Sequence, residues 1–287
     1  MDAENNRYAN APRNADYTIE QCWETYSDEE HDRWKRLFRR QQQVLPGRAC
    51  GEYIRAIRQL DLSADGVPHM GELSERLGKL TGWSVVPVAG LVPDEVFFDH
   101  LANKRFPAGA FIRPESEFDY LEEPDVFHDI FGHVPMLAVP VFAQFMQAYG
   151  QGGMRAMRLG QLHNLARLYW YTVEFGLVKS ADGLRIFGAG ILSSPQESVF
   201  SLEDASPNRV GFALDRIMRT KHIIDDFQQT YFVIDSLEKL LESCYEDFGD
   251  VYAQVRAQPD YEAHEIVPGD VVLQRGTREY FEHKKAS

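Results

Sequence analysis

Apolar residues recur at helical spacing along most of this chain and follow a strand-like pattern in only a few short runs. Ser27-Asp28-Glu29-Glu30 has the form of a helix start, its acidic residues favouring the N-terminal dipole. A basic-aromatic helix from Trp34 to about Val44 follows and stops before Pro46. The same spacing predicts helices over about 50–60, 69–80, 93–104, 124–131, 139–158, 161–178 and 235–246. Ser84–Val88, Ala110–Arg113 and Leu184–Phe187 read as short strands. The predicted fold class is therefore mainly α with a few short β-strands.

Composition narrows this picture. Hydrophobic residues make up 44 % of 287 and aromatics 12 %, enough for a sizeable core. No linker-like break divides the middle, so a single catalytic domain is expected over 19–257. Residues 1–18, polar and rich in Asn and Ala, are expected to be disordered. Residues 258–287, with Pro259 and Pro268, read as an extension of uncertain structure. No apolar run approaches the roughly 18 residues of a membrane span, and the N-terminus lacks an apolar targeting region. Cys22, Cys50 and Cys244 form no metal motif and point to a reducing cytoplasm. A formal net charge of −14 argues against nucleic acid and anionic membranes as partners.

Candidate chemistry is concentrated in Pro124-Asp-Val-Phe-His-Asp-Ile-Phe-Gly-His-Val-Pro135 and Tyr169-Trp-Tyr-Thr-Val-Glu-Phe175. His128, His133 and Glu174 supply two imidazoles and one carboxylate in apolar, aromatic surroundings, a set that holds divalent iron on one face and leaves positions open. The histidine spacing raises a difficulty. Five residues on a regular α-helix turn through about 500°, leaving the two rings about 140° apart. Gly132 and Pro135 offer a way out, by letting the helix end or loosen and swing His133 inward. Trp170, Glu174 and Leu177 are expected on one helical face. A lone His between Phe127 and Ile130 is ordinarily a packed core residue, but a Glu in an apolar setting is costly without a partner. His163 is the competing ligand and is set aside, while His31, His69, His100, His222, His264 and His283 read as surface residues.

Pro124-Asp125-(x)2-His128-(x)3-Gly132-His133-Val134-Pro135, Tyr169-Trp170-(x)-Thr172-Val173-Glu174-Phe175-Gly176-Leu177 and Gly188-Ala189-Gly190-Ile191-Leu192-Ser193-Ser194 resemble the pterin-dependent aromatic amino acid hydroxylases. The similarity is greatest to the short bacterial members that act on phenylalanine, and it runs in order from about Trp83 to Leu240. It implies a hydroxylase-type catalytic domain that uses L-phenylalanine, dioxygen and a tetrahydropterin at a non-haem Fe(II). The product would be L-tyrosine, at the first step of phenylalanine catabolism. By the same resemblance Arg113 grips the substrate carboxylate, a task suited to a guanidinium fork. Ser193 and Gly190 would help hold the amino acid's polar end, and Pro124, Trp170, Phe175 and Ile224 the aromatic wall, with Tyr169 nearby. The run Val88-Ala89-Gly90-Leu91-Val92-Pro93-Asp94 resembles the pterin loop, so Gly90, Leu91 and Val92, with Phe97 stacking and Asp129 acting through water, are the expected cofactor contacts. Leu121 and Pro107 depart from the animal pattern, where the resemblance places a hydroxyl residue near the substrate backbone and a pterin-contacting His.

The residues by themselves leave other readings open. Tryptophan or tyrosine hydroxylation would differ only in the ring pocket. A zinc-dependent hydrolase would need a general base, for which Asp129 is the nearby candidate, and a structural metal module would need a fourth ligand. The absence of regulatory and heptad-patterned segments favours a monomer.

Overall fold

Ser27 caps the first long helix, Asp28–Val44, in a computed structural model that describes residues 6–119, 123–245 and 248–286. Its hydroxyl accepts from Glu30 N while the Glu30 carboxylate takes the Ser27 N–H, a reciprocal box that satisfies two orphan donors. The helix buries Trp34, Leu37, Phe38 and Gln41, its inward face. This element belongs to the first of two units, Met1–Pro46 with Gly51–Arg155; the second is Gly47–Cys50 with Ala156–Ser287.

Helices Gly51–Gln59, Met70–Thr81, Asp94–Ala102 and Pro140–Arg158 lie where the periodicity places them, to within a few residues. Strands β1 (Ser84–Val88) and β2 (Arg105–Gly109) form a parallel pair, with Val86 opposite Pro107. The strand expected at Ala110–Arg113 thus falls one segment earlier. Beyond β2 the backbone takes other partners: Val126 N donates to Phe111 O, and Arg113 N donates to the Asp125 carboxylate. Trp34, Phe38, Phe127 and Phe131 build an aromatic core, with Phe127 and Phe131 stacked at 4.7 Å. Of residues 6–18, Tyr8 is buried with its hydroxyl on Gln21 O, and Asn6 donates to Ala89 O. Leu121 lies outside the described residues.

The second unit holds a five-stranded mixed sheet, β3 (Leu177–Ser180), β4 (Gly183–Ile186), β5 (Asn208–Gly211), β6 (Thr230–Ile234) and β7 (Val272–Gln274), in the order β4-β3-β6-β5-β7. β6 pairs parallel with both β3 and β5, and every residue of it is buried. Helices Leu162–Tyr169, Pro195–Glu203, Phe248–Arg256 and Glu279–Ala286 accompany the sheet. The helix expected over 161–178 is shorter, because the chain turns into β3 at Leu177. Leu177 therefore does not share a helical face with Glu174. Helix dominates and the strands are short, as the patterning implied. No single helix among the described residues is long and apolar enough to cross a membrane.

Candidate metal centre

Phe127–His133 is a π-helix that runs on into the α-helix Val134–Leu137. A π-turn closes i→i+5 hydrogen bonds, so residues five apart come round to nearly the same side. The helix neither ends nor loosens at Gly132; it widens, and the expected α-helical divergence of the two imidazoles disappears. His128 Nε2 and His133 Nε2 stand 3.1 Å apart, with ring centroids at 4.9 Å and planes at 79°. Two imidazole nitrogens bound at right angles to one metal at about 2.1 Å would be about 3.0 Å apart, so the pair is set for a shared ion. His133 is buried and packs on Phe106, with centroids 5.0 Å apart.

Glu174 comes from a second π-turn, Trp170–Glu174, which continues the helix Leu162–Tyr169. Phe175 N donates to Trp170 O at 2.9 Å, the five-residue bond that brings the Trp170 and Phe175 rings to 4.9 Å. The glycines of the Gly188-Ala189-Gly190 run act here through their lack of bulk. A Cβ on Gly188 would stand 2.4 Å from Glu174 O and from Gly176 N, and one on Gly190 2.9 Å from the Phe175 ring. Two neighbouring backbone segments thus meet directly at the carboxylate-bearing residue.

His128, His133 and Glu174 form a group that could hold a metal ion. Two nitrogens and one carboxylate oxygen with no thiolate suit a divalent iron site with open positions better than a closed structural zinc site. His163 is exposed on its helix and not in this group. Not all the histidines read as surface residues are exposed. His100 is fully buried with Nε2 against Asp16 O, and His31, His222 and His264 are half-buried, the His222 ring 4.6 Å from Trp170. Burial, with help from Arg167, lowers the His222 pKa.

The other expected site residues fall as follows. Arg113 is 5 % exposed, and its partner is Asp125 rather than Glu115 or Glu117. Nε and Nη2 each donate to the Asp125 carboxylate at 2.8 Å, and the Arg113 and His128 backbone N–H groups donate to it at 2.9 Å. Burial alone would push the Asp125 carboxyl up, but Arg113 and these hydrogen bonds outweigh it and hold it below the usual range. Asp125 sits inside the quoted block and was passed over; a carboxylate beside Pro124 and three residues before a ligand histidine was the available signal.

Asp129 is buried and accepts from Gly109 N at 2.7 Å. Pro124 is half-buried, and its carbonyl would meet a Cβ placed on Gly109 at 3.2 Å. Gly90 and Leu91 turn over the Glu123 carboxylate: Leu91 N donates to Oε1, and a Cβ on Gly90 would meet that oxygen at 2.7 Å. Leu91 is exposed, Val92 and Phe97 are half-buried, and Phe97 packs on Phe98 at 5.8 Å. Tyr169 is half-buried at the end of its helix, while Ser193 Oγ donates back to Ala189 O. Ile224 lies in a bend, 73 % exposed.

Known proteins carry the same signature. Residues 10–257 match the family of biopterin-dependent aromatic amino acid hydroxylases. A phenylalanine-4-hydroxylase of Caulobacter vibrioides is 61 % identical over 92 % of this chain and 90 % of its own length. One from Ralstonia nicotianae is 56 % identical over 92 % and 84 %. The solved structure of Chromobacterium violaceum phenylalanine hydroxylase with bound oxidised Fe(III) has a TM-score of 0.89 and 52 % identity, covering 91 % of this chain and 96 % of that one. With paired histidines at the five-residue spacing of a π-turn and a family match over most of its length, this chain belongs to the biopterin-dependent aromatic amino acid hydroxylases.

Proposed function

We propose that the protein hydroxylates L-phenylalanine to L-tyrosine, using dioxygen and a tetrahydropterin at a ferrous iron held by His128, His133 and Glu174. The observation that carries this reading is the His128–His133 Nε2 separation of 3.1 Å within a chain of this family. Iron and pterin together supply dioxygen activation, the chemistry no side chain here performs.

The chain's own part is positioning. The Asp125 carboxylate engages Nε and Nη2 of Arg113, which sets the guanidinium plane and leaves Nη1 to meet a substrate carboxylate. The same Asp125 takes the His128 N–H, so one buried anion orders both the substrate clamp and a ligand-bearing turn. Trp170 and Phe175, paired through the second π-turn, with Pro124, Tyr169 and Ile224, are assigned to the aromatic side of the substrate site. Gly190 and Ser193 are assigned to its polar end, and Gly190's contact with Phe175 adds a packing role. The exposed Leu91, with Gly90, Val92 and Phe97, offers backbone and ring to a flat heterocycle, and Asp129 lies beside a ligand histidine. The hydrolase alternative fits less well, since Asp129 already accepts from Gly109 N. The unrelated spacings of Cys22, Cys50 and Cys244 support a cytoplasmic location, and we take the enzyme to act as a monomer.

Anaerobic loading with Fe(II), then addition of phenylalanine, tetrahydropterin and air, should yield tyrosine by chromatography. Zinc loading and Glu174→Ala should both abolish it. Tyrosine made equally well by either would refute the iron assignment. Tryptophan or tyrosine hydroxylated faster than phenylalanine would change the substrate.

A further inference from the structure

Trp170 is held by more than its ring neighbours. Its packing against Phe175 at 4.9 Å and His222 at 4.6 Å is tilted and non-directional, but Nε1 donates to Gln228 Oε1 at 3.0 Å. Gln228 is 1 % exposed, and its Nε2 donates to Ile223 O at 2.8 Å. One amide therefore accepts from the indole and donates to the loop before it. A methionine of similar volume would do neither, and a glutamate would only accept.

The loop that carries Gln228 is anchored at two points. Tyr231 OH donates to Glu197 Oε1 at 2.7 Å, and Gln228 N approaches the same oxygen at 3.4 Å. On the other side Phe227 stacks on Phe200 at 4.6 Å, and Tyr280, from the helix Glu279–Ala286, packs on both rings. Tyr280 OH donates to Asp226 Oδ1 at 3.0 Å, and Lys284 Nζ stands 3.1 Å from that oxygen. This C-terminal helix lies beyond residues 10–257 that the family model matches.

We propose that Gln228 is a positioning residue for the substrate's aromatic wall, fixing the rotation of the Trp170 indole while Glu197 and the C-terminal helix fix Gln228 itself. The proposal rests on the assignment of Trp170 to the substrate site. It predicts a binding effect that passes through Trp170.

The test is a double-mutant cycle on the full-length, Fe(II)-loaded enzyme, with Gln228→Met in wild-type and Trp170→Phe backgrounds. Gln228→Met should raise KM for phenylalanine about 5-fold, with kcat within about 2-fold, as expected for one hydrogen bond lost. In the Trp170→Phe background the same change should leave KM unaltered. An unchanged KM in the wild-type background, or an equal rise in both, overturns the proposal. So does Trp170→Phe that leaves KM unmoved, which also removes Trp170 from the pocket. A wild-type enzyme forming no tyrosine overturns the hydroxylase reading itself. Should Gln228→Met fail to fold, hydrogen exchange of the Trp170 indole N–H in the wild-type apoprotein decides. Slow exchange, with the resonance identified by its loss in Trp170→Phe, supports the hydrogen bond; exchange as fast as a free indole overturns it.

Discussion

Around Phe127–His133 a buried carboxylate gathers the polar groups, whereas at Trp170–Glu174 crowded backbone is added to side-chain hydrogen bonds from Trp170, Tyr171 and Thr172. At the first π-turn a buried carboxylate collects four donors, from Arg113 and the His128 backbone, and Tyr53 OH donates to Phe131 O at 2.7 Å. At the second, Gly188 brings its chain so close that a methyl group would overlap Glu174 O and Gly176 N. The lesson is that the same unusual helical turn leans on a buried anion in one place and on close backbone approach in the other, and the two should fail differently.

The strongest way to break the contrast is Asp125→Ala. It leaves Arg113 buried without its partner and should cost about 3–5 kcal/mol, read from urea denaturation. Because the Asp125 pKa is lowered on folding, its contribution is present above the ordinary carboxylate value of about 3.9 and is lost as pH falls through the folded value. The variant should therefore show a flatter acid limb of stability. A loss below about 1 kcal/mol would show that the first turn does not depend on its anion.

Next in size is Gly188→Ala. Overpacking against Glu174 should cost about 1–3 kcal/mol and weaken Fe(II) binding, measured by calorimetry under anaerobic conditions. Unchanged iron affinity would separate the carboxylate's placement from the crowding. Tyr53→Phe probes the polar turn more gently, with an expected loss of about 1 kcal/mol in thermal unfolding and no change in iron affinity. The smallest effect is a control of opposite sign. Gly152 lies inside the helix Pro140–Arg158 with open space where a Cβ would go, so Gly152→Ala should stabilise by about 0.5–1 kcal/mol. A loss there would mean that glycine substitutions in this chain do not report packing.

The candidate metal group and most helices of the first unit were legible because their patterns are local: a capping box, an amphipathic spacing, a histidine pair. The π-turns were not. Nothing in Phe127–His133 marks a five-residue bond rather than a four-residue one, so convergence of His128 and His133 was expected from a helix ending or loosening at Gly132 and not from a π-turn. β2 was missed because Pro107 counts against a strand, yet it occurs in one half of a two-stranded sheet, where a lost donor is tolerated. β6, Thr230-Tyr-Phe-Val-Ile234, is a continuous apolar run of the kind that buried parallel strands show, and such a run carries no alternation to mark it as a strand. Asp125 and Gln228 act through partners 12 and 58 residues away, distances that no spacing rule reaches.

A π-turn amounts to an α-helix carrying one surplus residue, accommodated as a bulge. At 128–133 the convergence of the imidazoles is therefore a matter of counting as much as of chemistry. Exchanging the intervening side chains preserves that count; removing or adding a single codon does not. Insertions and deletions, more than point replacements, are the genetic changes this stretch is least able to absorb.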